Sequence, residues 1–194
     1  SIGMGLDKRI GSRFLRAGTA YGGSCFPKDT RALVDTAKKS KTSLSVINTV
    51  INSNDKRSGL LLNRINYILK NKIKNKNITF LGVTFKANTD DMRESASLKM
   101  IPYLNRKGAK IKYYDPTGKK TEFDKFKNVQ FKNNIKDACE MSDLIIIHTE
   151  WNEFKLIDLK KIVKKRNFII YDMRNIYSTE KMEKQKIKYY GIGK

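Results

Sequence analysis

Three almost wholly apolar runs in the second half of the chain constrain its fold most: ITFLGVTF (78–85), DLIIIHT (143–149) and NFIIYDM (167–173). A strand that is apolar at every position is buried on both faces, as in parallel sheets covered by helices. Segments with helical spacing follow these runs: SASLKMIPYLNRKGA, NIKDACEMS and LKKIVKK. KIKYYDP, NVQF and the final KIKYYGIG supply further short strands. The alternation predicts an α/β fold with a doubly wound, Rossmann-like parallel sheet.

The first half of the chain has a helical pattern instead. Residues 1–24 are glycine-rich and predict mostly loop with one short helix at best. Pro27 suits a first helical turn and predicts a short helix to about Ser40. From Ser43 to Lys70, apolar residues recur every three or four positions and predict one long helix. Because this helix has few neighbours in a small lobe, we expect it to pair with a second copy of the chain in a homodimer.

The charged, asparagine-rich junction KNKIKNKN (70–77) separates the two patterns. The sequence therefore predicts a central helical domain over 1–73 and a Rossmann-like domain over 74–194. The first strand of that second domain is followed by GVTFKANT rather than by Gly-x-Gly-x-x-Gly. It therefore lacks the usual phosphate-binding turn of a dinucleotide site.

The net charge of +22 at pH 7 suggests an anionic partner. Nucleic acid is one candidate, and lysine used freely on solvated faces is the alternative. The basic segments KNKIKNKNI, NRKGAKIK, KKIVKKR and KQKIK are scattered, and each flanks an apolar segment. No arginine-rich arm or RNA-binding aromatic signature accompanies them, so we expect no specific nucleic-acid partner. The charge also favours a phosphorylated small molecule.

The small number of cysteine and histidine residues and the hydropathy of the chain argue against metal-binding, membrane-spanning and secreted proteins. The two cysteines lie far apart and the chain has one histidine, so we expect no metal site. No apolar run approaches the roughly 20 residues that span a bilayer, and no signal-peptide pattern opens the chain. We therefore expect a cytoplasmic protein with reduced thiols and no membrane partner.

Cys25 stands in the most unusual stretch, AGTAYGGSCFPKDTRAL (17–33). A lone cysteine is more often a small buried residue than a nucleophile. Here it precedes Pro27 at a predicted helix start, where the helix dipole and free N–H groups favour a thiolate. Lys28 adds a cation, and Asp29 lies one turn further on, positioned to orient water or relay a proton. This combination suits covalent catalysis, whereas Cys139 in KDACEMSD is expected to be a core residue.

A second polar cluster follows the first predicted strand, in GVTFKANTDDMRESAS (82–97). Ligands of doubly wound sheets bind just beyond the carboxyl ends of strands. Lys86 and Arg93 lie there as cations for phosphate, and Ser95 can cap the next helix. The alternative is a solvated loop in which an aspartate pairs with Arg93.

Two other strand ends carry polar residues. In YDMR (171–174), Asp172 or Arg174 could contact a ligand or cap local backbone. In HTEW (148–151), His148 is expected to be structural rather than a general base.

These motifs resemble those of the UDP-glucose/GDP-mannose dehydrogenase family. RIGSRFLRAGTAYGGSCFPKD is similar to the family's signature around its catalytic cysteine, and GVTFKANTDDMRES to the start of its UDP-binding domain; TEW and DMRN match later motifs. The resemblance covers essentially the whole chain. It implies oxidation of a sugar C6 alcohol to a carboxylate, here UDP-glucose to UDP-glucuronate, with two NAD⁺. Cys25 would form a thiohemiacetal and then a thioester, and Asp29 would help to activate water.

The resemblance also implies roles for other positions. A loop that holds the nucleotide sugar would include Phe14, Leu15, Arg16, Ala17, Gly18 and Gly22. Phe85 and Lys86 would meet the phosphate or sugar, and Arg174 would be a C-terminal substrate contact. Arg9 would reach the substrate of a neighbouring subunit, and Lys28 and Arg93 would face NAD.

The chain departs from the family pattern at its beginning. Family members start with an NAD-binding Rossmann domain carrying the glycine fingerprint, and none precedes Ser1 in this sequence. We therefore expect these 194 residues to be inactive alone. The alternative is a truncated, non-catalytic module that binds a nucleotide sugar and dimerises.

Overall fold

A six-stranded parallel sheet forms the centre of the second half of the chain. The computed structural model describes residues 2–193, apart from the side chains of Arg13 and Phe14. The strands are β1 (Asn77–Leu81), β2 (Lys110–Tyr114), β3 (Val129–Phe131), β4 (Leu144–Ile147), β5 (Ile169–Asp172) and β6 (Lys188–Gly191). Their spatial order is β3-β2-β1-β4-β5-β6, and every neighbouring pair is parallel. The order reverses between β1 and β4, where a doubly wound sheet opens a crevice at its carboxyl edge.

Seven α-helices are present in residues 2–193. They are α1 (Ile2–Gly5), α2 (Cys25–Lys39), α3 (Ser45–Ile68), α4 (Ser97–Arg106), α5 (Ile135–Cys139), α6 (Leu159–Ile162) and α7 (Thr179–Lys184). Short 3₁₀ turns span Ser12–Leu15, Thr121–Phe123 and Asn152–Leu156. The long helix predicted over 43–70 corresponds to α3. Among these described helices, none has the length and apolar character needed to cross a bilayer.

Helices cover both faces of the sheet, which confirms the predicted α/β, doubly wound class. On one face, α3 and α4 pack through Leu61, Ile65, Met100, Ile101 and Leu104. On the other face, α5, α6 and α7 pack through Ala138, Cys139, Leu159 and Met182. Successive residues of β4 alternate between the two cores, so each of its side chains is buried. This double burial explains the uninterrupted apolar run LIII.

The strand predicted over 78–85 ends four residues early, at Leu81. Gly82 has φ +76°, and a Cβ there would lie 2.4 Å from the Thr149 side chain. The next amide, Val83 N, donates to the buried Asp115 carboxylate at 2.8 Å rather than to a neighbouring strand. The chain therefore turns out of the sheet, and the residues beyond Gly82 form a loop over its carboxyl edge.

Candidate active site

Cys25 is the first residue of α2, and its thiol is exposed. Gly23 two residues earlier has φ +80°, a left-handed conformation that suits glycine and turns the chain into the helix. The side chain of Ser24 accepts no hydrogen bond from the first turn of α2. The thiol therefore stands at the positive end of a helix dipole, beside backbone donors that no side-chain cap occupies.

Asp29 follows Cys25 by one helical turn on the same face of α2. Its carboxylate pairs with the Lys28 ammonium at 3.3 Å, and both side chains are exposed. The helix thus presents a thiol, a cation and a carboxylate to solvent within five residues.

The loop that follows β1 carries the second cluster, Lys86 to Glu94. Arg93 forms a two-pronged ion pair with Asp91, with Nη2–Oδ2 and Nε–Oδ1 distances of 2.8 and 3.0 Å. This hydrogen bonding lowers the pKa of Asp91 and raises the pKa of Arg93. The charges of Lys86 on Asp91 and of Cys25 on Arg93 act in the same directions. The Asp–Arg pair of the solvated-loop alternative is therefore present, and its arginine lies within electrostatic reach of the thiol, while the role of Arg93 as a cation for phosphate stays a prediction.

The glycine-rich segment before Cys25 packs directly on the loop after β1. Gly23 N donates to Arg93 O at 2.8 Å. A Cβ on Gly22 would lie 2.8 Å from Glu94 O, and a Cβ on Gly23 would lie 2.8 Å from the Phe85 ring. Both glycines therefore permit a close approach that no larger residue allows.

A cleft of about 390 Å³ opens where the two loops meet. Its walls come from the start of α2 and from the loop after β1, and they are Gly23, Ser24, Pro27, Lys28, Arg31, Arg93 and Glu94. Lys28 and Arg93, predicted separately as cofactor-facing cations, thus line one cleft beside Cys25.

α3 holds the glycine-rich segment before Cys25. The Asn54 side chain accepts from Tyr21 N at 2.9 Å and donates to Tyr21 O at 3.2 Å. One turn along α3, Arg57 donates to Gly18 O at 3.2 Å. Gly18 and its neighbours are therefore fixed to a helix whose other end is buried in the sheet core.

Buried polar groups that sequence reasoning missed support the loop after β1. Asp115, at the end of β2, accepts from Val83 N, and Lys120 donates to Asp90 O at 3.4 Å. Thr149 Oγ1 donates to Thr84 O at 2.7 Å. Ser95 does not cap α4, whose N-cap is Ala96; its hydroxyl instead donates to Val83 O at 2.7 Å. The Asp-Pro pair that ends the predicted strand segment KIKYYDP is the one local signal for Asp115.

Arg174 lies at the carboxyl edge with most of its side chain covered, and it contacts several separate segments. Its Nε donates to His148 O at 2.8 Å and its Nη2 to Phe85 O at 3.0 Å. Glu150 Oε2 lies 3.0 Å from Nε. Burial lowers the pKa of Arg174, and the negative charge of Glu150 opposes this effect. Asp172 accepts from Arg174 N at 3.0 Å and from Tyr177 N at 3.0 Å, so it caps local backbone.

His148 is fully buried, as expected of a structural histidine. Thr149 Oγ1 gives its hydrogen to Thr84 O, so His148 Nδ1, 3.1 Å away, carries the proton of the imidazole. His148 Nε2 has no partner among the described residues. Burial lowers the pKa of His148 to about 3.

The remaining predicted substrate residues are Lys86 and those that precede Gly18. Arg9 is exposed and pairs with Asp7 at 2.7 Å. Leu15 and Ala17 are half-buried and Arg16 is exposed. The side chain of Phe14 lies outside the described part of the structure. Lys86 is exposed, with its ammonium 5.4 Å from the centre of the Phe85 ring. Within residues 2–193, no cluster of His, Cys, Asp or Glu could hold a metal ion.

Two family models match the chain. The model of the UDP-glucose/GDP-mannose dehydrogenase family, UDP binding domain, matches residues 79–179. The model of the same family's central domain matches residues 1–56.

Curated relatives match the whole chain. The UDP-glucose 6-dehydrogenase of Rickettsia bellii is 41% identical over 196 residues, which cover 100% of this chain and 45% of that protein. The UDP-glucose 6-dehydrogenase TuaD of Bacillus subtilis is 36% identical, covering 99% of this chain and 42% of that protein. The chain therefore spans less than half the length of these relatives.

Solved structures share the fold. A UDP-glucose dehydrogenase from the archaeon Pyrobaculum islandicum superposes with a TM-score of 0.79 at 25% identity, over 98% of this chain and 42% of that one. A GDP-mannose dehydrogenase from Pseudomonas aeruginosa has the same fold, with a TM-score of 0.73 at 22% identity, over 98% and 44%.

Proposed function

Because the chain belongs to the UDP-glucose/GDP-mannose dehydrogenase family, we propose that it supplies the catalytic cysteine and the nucleotide-sugar site of an NAD-dependent dehydrogenase. The reaction proposed is oxidation of UDP-glucose to UDP-glucuronate. The observation that carries this proposal is the exposed Cys25 thiol at the start of α2, beside a cleft shared with the loop after β1. An exposed, unpaired thiol also fits a reducing compartment such as the cytoplasm.

The nucleotide sugar would bind along the carboxyl edge, between the glycine-rich segment and the loop after β1. Lys86 supplies an exposed ammonium for the diphosphate, with Phe85 beside it. Gly18 and Gly22 would let backbone N–H groups approach the ligand closely. Leu15, Arg16 and Ala17, with Phe14, would complete this wall.

The chemistry proposed for this chain is covalent. When bound, NAD⁺ would accept the hydride that leaves C6 in each of the two oxidations, and the hydroxyl proton lost in each would pass to solvent. Between them, Cys25 Sγ adds to the C6 aldehyde, and the thiol proton passes to the aldehyde oxygen. The second oxidation leaves a thioester on Cys25. Asp29 would accept a proton from the water that attacks this thioester, which releases the carboxylate and restores the thiol.

Lys28 and Arg93 fit the phosphates of a dinucleotide, since both are cationic and both line the cleft. The turn after β1 carries no glycine fingerprint, so this sheet does not provide the main cofactor cradle. That role would fall to the NAD-binding domain that the family places before this region.

A homodimer through α3 is part of the proposal. Val46, Val50, Leu60 and Tyr67 are exposed apolar residues on this helix. At about 100° per residue they share a stripe roughly 100° wide, and an isologous contact between two copies would cover it. In that dimer, Arg9 would reach the substrate of the partner.

The activity test compares three proteins by NADH absorbance with UDP-glucose. They are this chain alone, a fusion in which the NAD-binding domain of the Rickettsia bellii relative precedes it, and that fusion with Cys25→Ala. We expect the chain alone to be inactive, because hydride transfer needs the nicotinamide within about 3.5 Å of the sugar carbon. We expect the Cys25→Ala fusion to form no acid, because no thioester can form, and acid formation by this fusion would refute the covalent mechanism.

Nucleotide recognition can be tested on this chain by titration calorimetry with UDP. Lys86→Ala should weaken binding by about 1.5–3 kcal/mol, the range for hydrogen bonds to charged groups. Lys107→Ala is the matched control, because Lys107 is exposed at the opposite edge of the sheet. Equal affinity of the two variants would remove Lys86 from the site.

A further inference from the structure

Arg174 contacts two loops that approach the carboxyl edge from different strands. Its guanidinium donates to Phe85 O, in the loop after β1, and to His148 O, at the end of β4. Its side chain is only 11% exposed. A planar guanidinium directs its N–H groups in fixed directions, so one side chain can hold two carbonyls at a set separation.

Glu150 holds the guanidinium in this pose. Its Oε2 lies 3.0 Å from Arg174 Nε, whose only hydrogen is donated to His148 O. The pairing is therefore electrostatic, and Glu150 Oε2 accepts no hydrogen bond from the described residues. A buried guanidinium bound only to neutral carbonyls carries a large desolvation cost, which a carboxylate at this distance offsets.

The same guanidinium supports the glycine-rich segment. A Cβ placed on Gly18 would lie 3.0 Å from Arg174 Nη1, so the chain passes directly over the arginine. Three segments therefore meet at the Arg174 side chain, through Gly18, Phe85 and His148.

We propose that Arg174 and Glu150 form a positioning pair that sets the placement of Lys86 and Gly18, and through them the nucleotide-sugar site. Arg174 acts here through backbone carbonyls, in addition to any contact of its own with the ligand. The expected effect on nucleotide-sugar binding rests on the proposed function. The restraint that Arg174 places on the two loops is a property of the chain without ligand.

The restraint is tested by amide hydrogen exchange without ligand. Arg174→Lys keeps the charge but lacks the fork that reaches two carbonyls, and Glu150→Gln keeps the shape but loses the charge. Both should speed exchange in residues 17–23 and 82–94 at least several-fold, and leave β2 unchanged. Arg106→Lys, at an exposed position on the opposite edge, is the control. Unchanged exchange in the two loops would overturn the proposal. Faster exchange in β2 as well would show that the pair stabilises the whole sheet rather than the two loops, and would overturn it too.

The consequence for binding is tested by a double-mutant cycle with UDP. Arg174→Lys should weaken binding about tenfold, or roughly 1.4 kcal/mol. In a Lys86→Ala background the same change should cost less than about threefold, because the group being positioned is absent. Equal factors in both backgrounds would show an independent ligand contact and overturn the positioning role. If the unmodified chain binds no UDP, the proposed function fails, while the exchange experiment still decides the restraint.

Discussion

The two thiols differ in exposure, and this difference predicts their reactivity. Cys25 is exposed at the start of α2, whereas Cys139 is buried under the sheet. Burial raises the pKa of Cys139 to about 12. We expect iodoacetamide at pH 8 to modify Cys25 and to spare Cys139 until the protein unfolds. Intact mass before and after urea checks this, and Cys25→Ser should remain unmodified in the folded state. Labelling of Cys139 in the native protein would contradict the buried assignment.

The single histidine predicts a pH dependence of stability. Burial lowers the folded-state pKa of His148 to about 3, below the 6.5 of an unperturbed histidine. Below pH 6.5 the unfolded chain therefore binds a proton that the folded chain does not. Stability is complete above pH 6.5 and falls by about 1.4 kcal/mol for each pH unit below it.

Urea unfolding between pH 7.5 and 5.5 measures this slope. His148→Gln should lower the free energy of unfolding at every pH and remove most of the slope in this window. An equal slope in the variant would assign it to other groups.

At the scale of elements, the turn before α2 depends on Gly23. Alanine at its φ of +80° costs roughly 1–2 kcal/mol of backbone strain. Its Cβ would also press on the Phe85 ring. Gly59 lies inside α3 with nothing within 4 Å of a built Cβ. Gly59→Ala should therefore stabilise the protein by about 0.5–1 kcal/mol, while Gly23→Ala destabilises it. Urea midpoints of both variants check the opposite signs.

Sequence patterns predicted the elements better than their junctions. LIII and the 43–70 periodicity predicted β4 and α3. Burial of β4 on both faces requires an apolar residue at every position, and burial of α3 on one face requires apolar residues at helical spacing, so both patterns are visible in the sequence. The early end of β1 depends on Asp115, more than 30 positions away, which no local pattern contains. Likewise, Cys25 could be singled out from its own neighbours, but the close packing of Phe85 and Glu94 on the two glycines before it exists only through tertiary structure. The domain division at residue 73 stays a prediction.

At the scale of the whole molecule, parallel topology gathers the scattered basic segments. The four basic segments named above lie at the beginnings of β1, β2, β5 and β6. In a parallel sheet, all strand beginnings lie on one edge, here called the amino edge. Hydrogen bonds join its loops: Lys110 N donates to Lys76 O, and Lys164 N donates to Glu140 O, each at 2.8 Å. The amino-edge segments are 70–76, 106–110, 125–128, 140–143, 164–167 and 184–188, and they hold fifteen of the 41 Lys and Arg residues but two of the 19 Asp and Glu.

This concentration predicts a stability that rises with salt. Lysines near helix C-termini are favourable locally, but side by side they repel one another, and salt screens that repulsion. Raising NaCl from 20 to 200 mM should raise Tm, by roughly 2–4 °C for each kcal/mol of repulsion relieved. Lys72→Glu with Lys74→Glu should reduce this response. Lys132→Glu with Lys136→Glu, away from the amino edge, should reduce it less. A salt-independent Tm would show that the edge charges do not interact.

The length of α3 determines how this molecule responds to insertions. Its 24 residues make a rod about 36 Å long. Asn54 and Arg57 clip the glycine-rich segment to the middle of that rod, while Leu61 and Ile65 set its rotation in the sheet core. One residue inserted between Arg57 and Leu61 would turn the two contact sites by about 100° relative to each other and move them about 1.5 Å apart, without altering any residue near Cys25. A whole number of added turns would restore the rotation but not the separation. The alignment of thiol and nucleotide site thus depends on both the phase and the length of α3, and insertions between these two contact sites should not be tolerated.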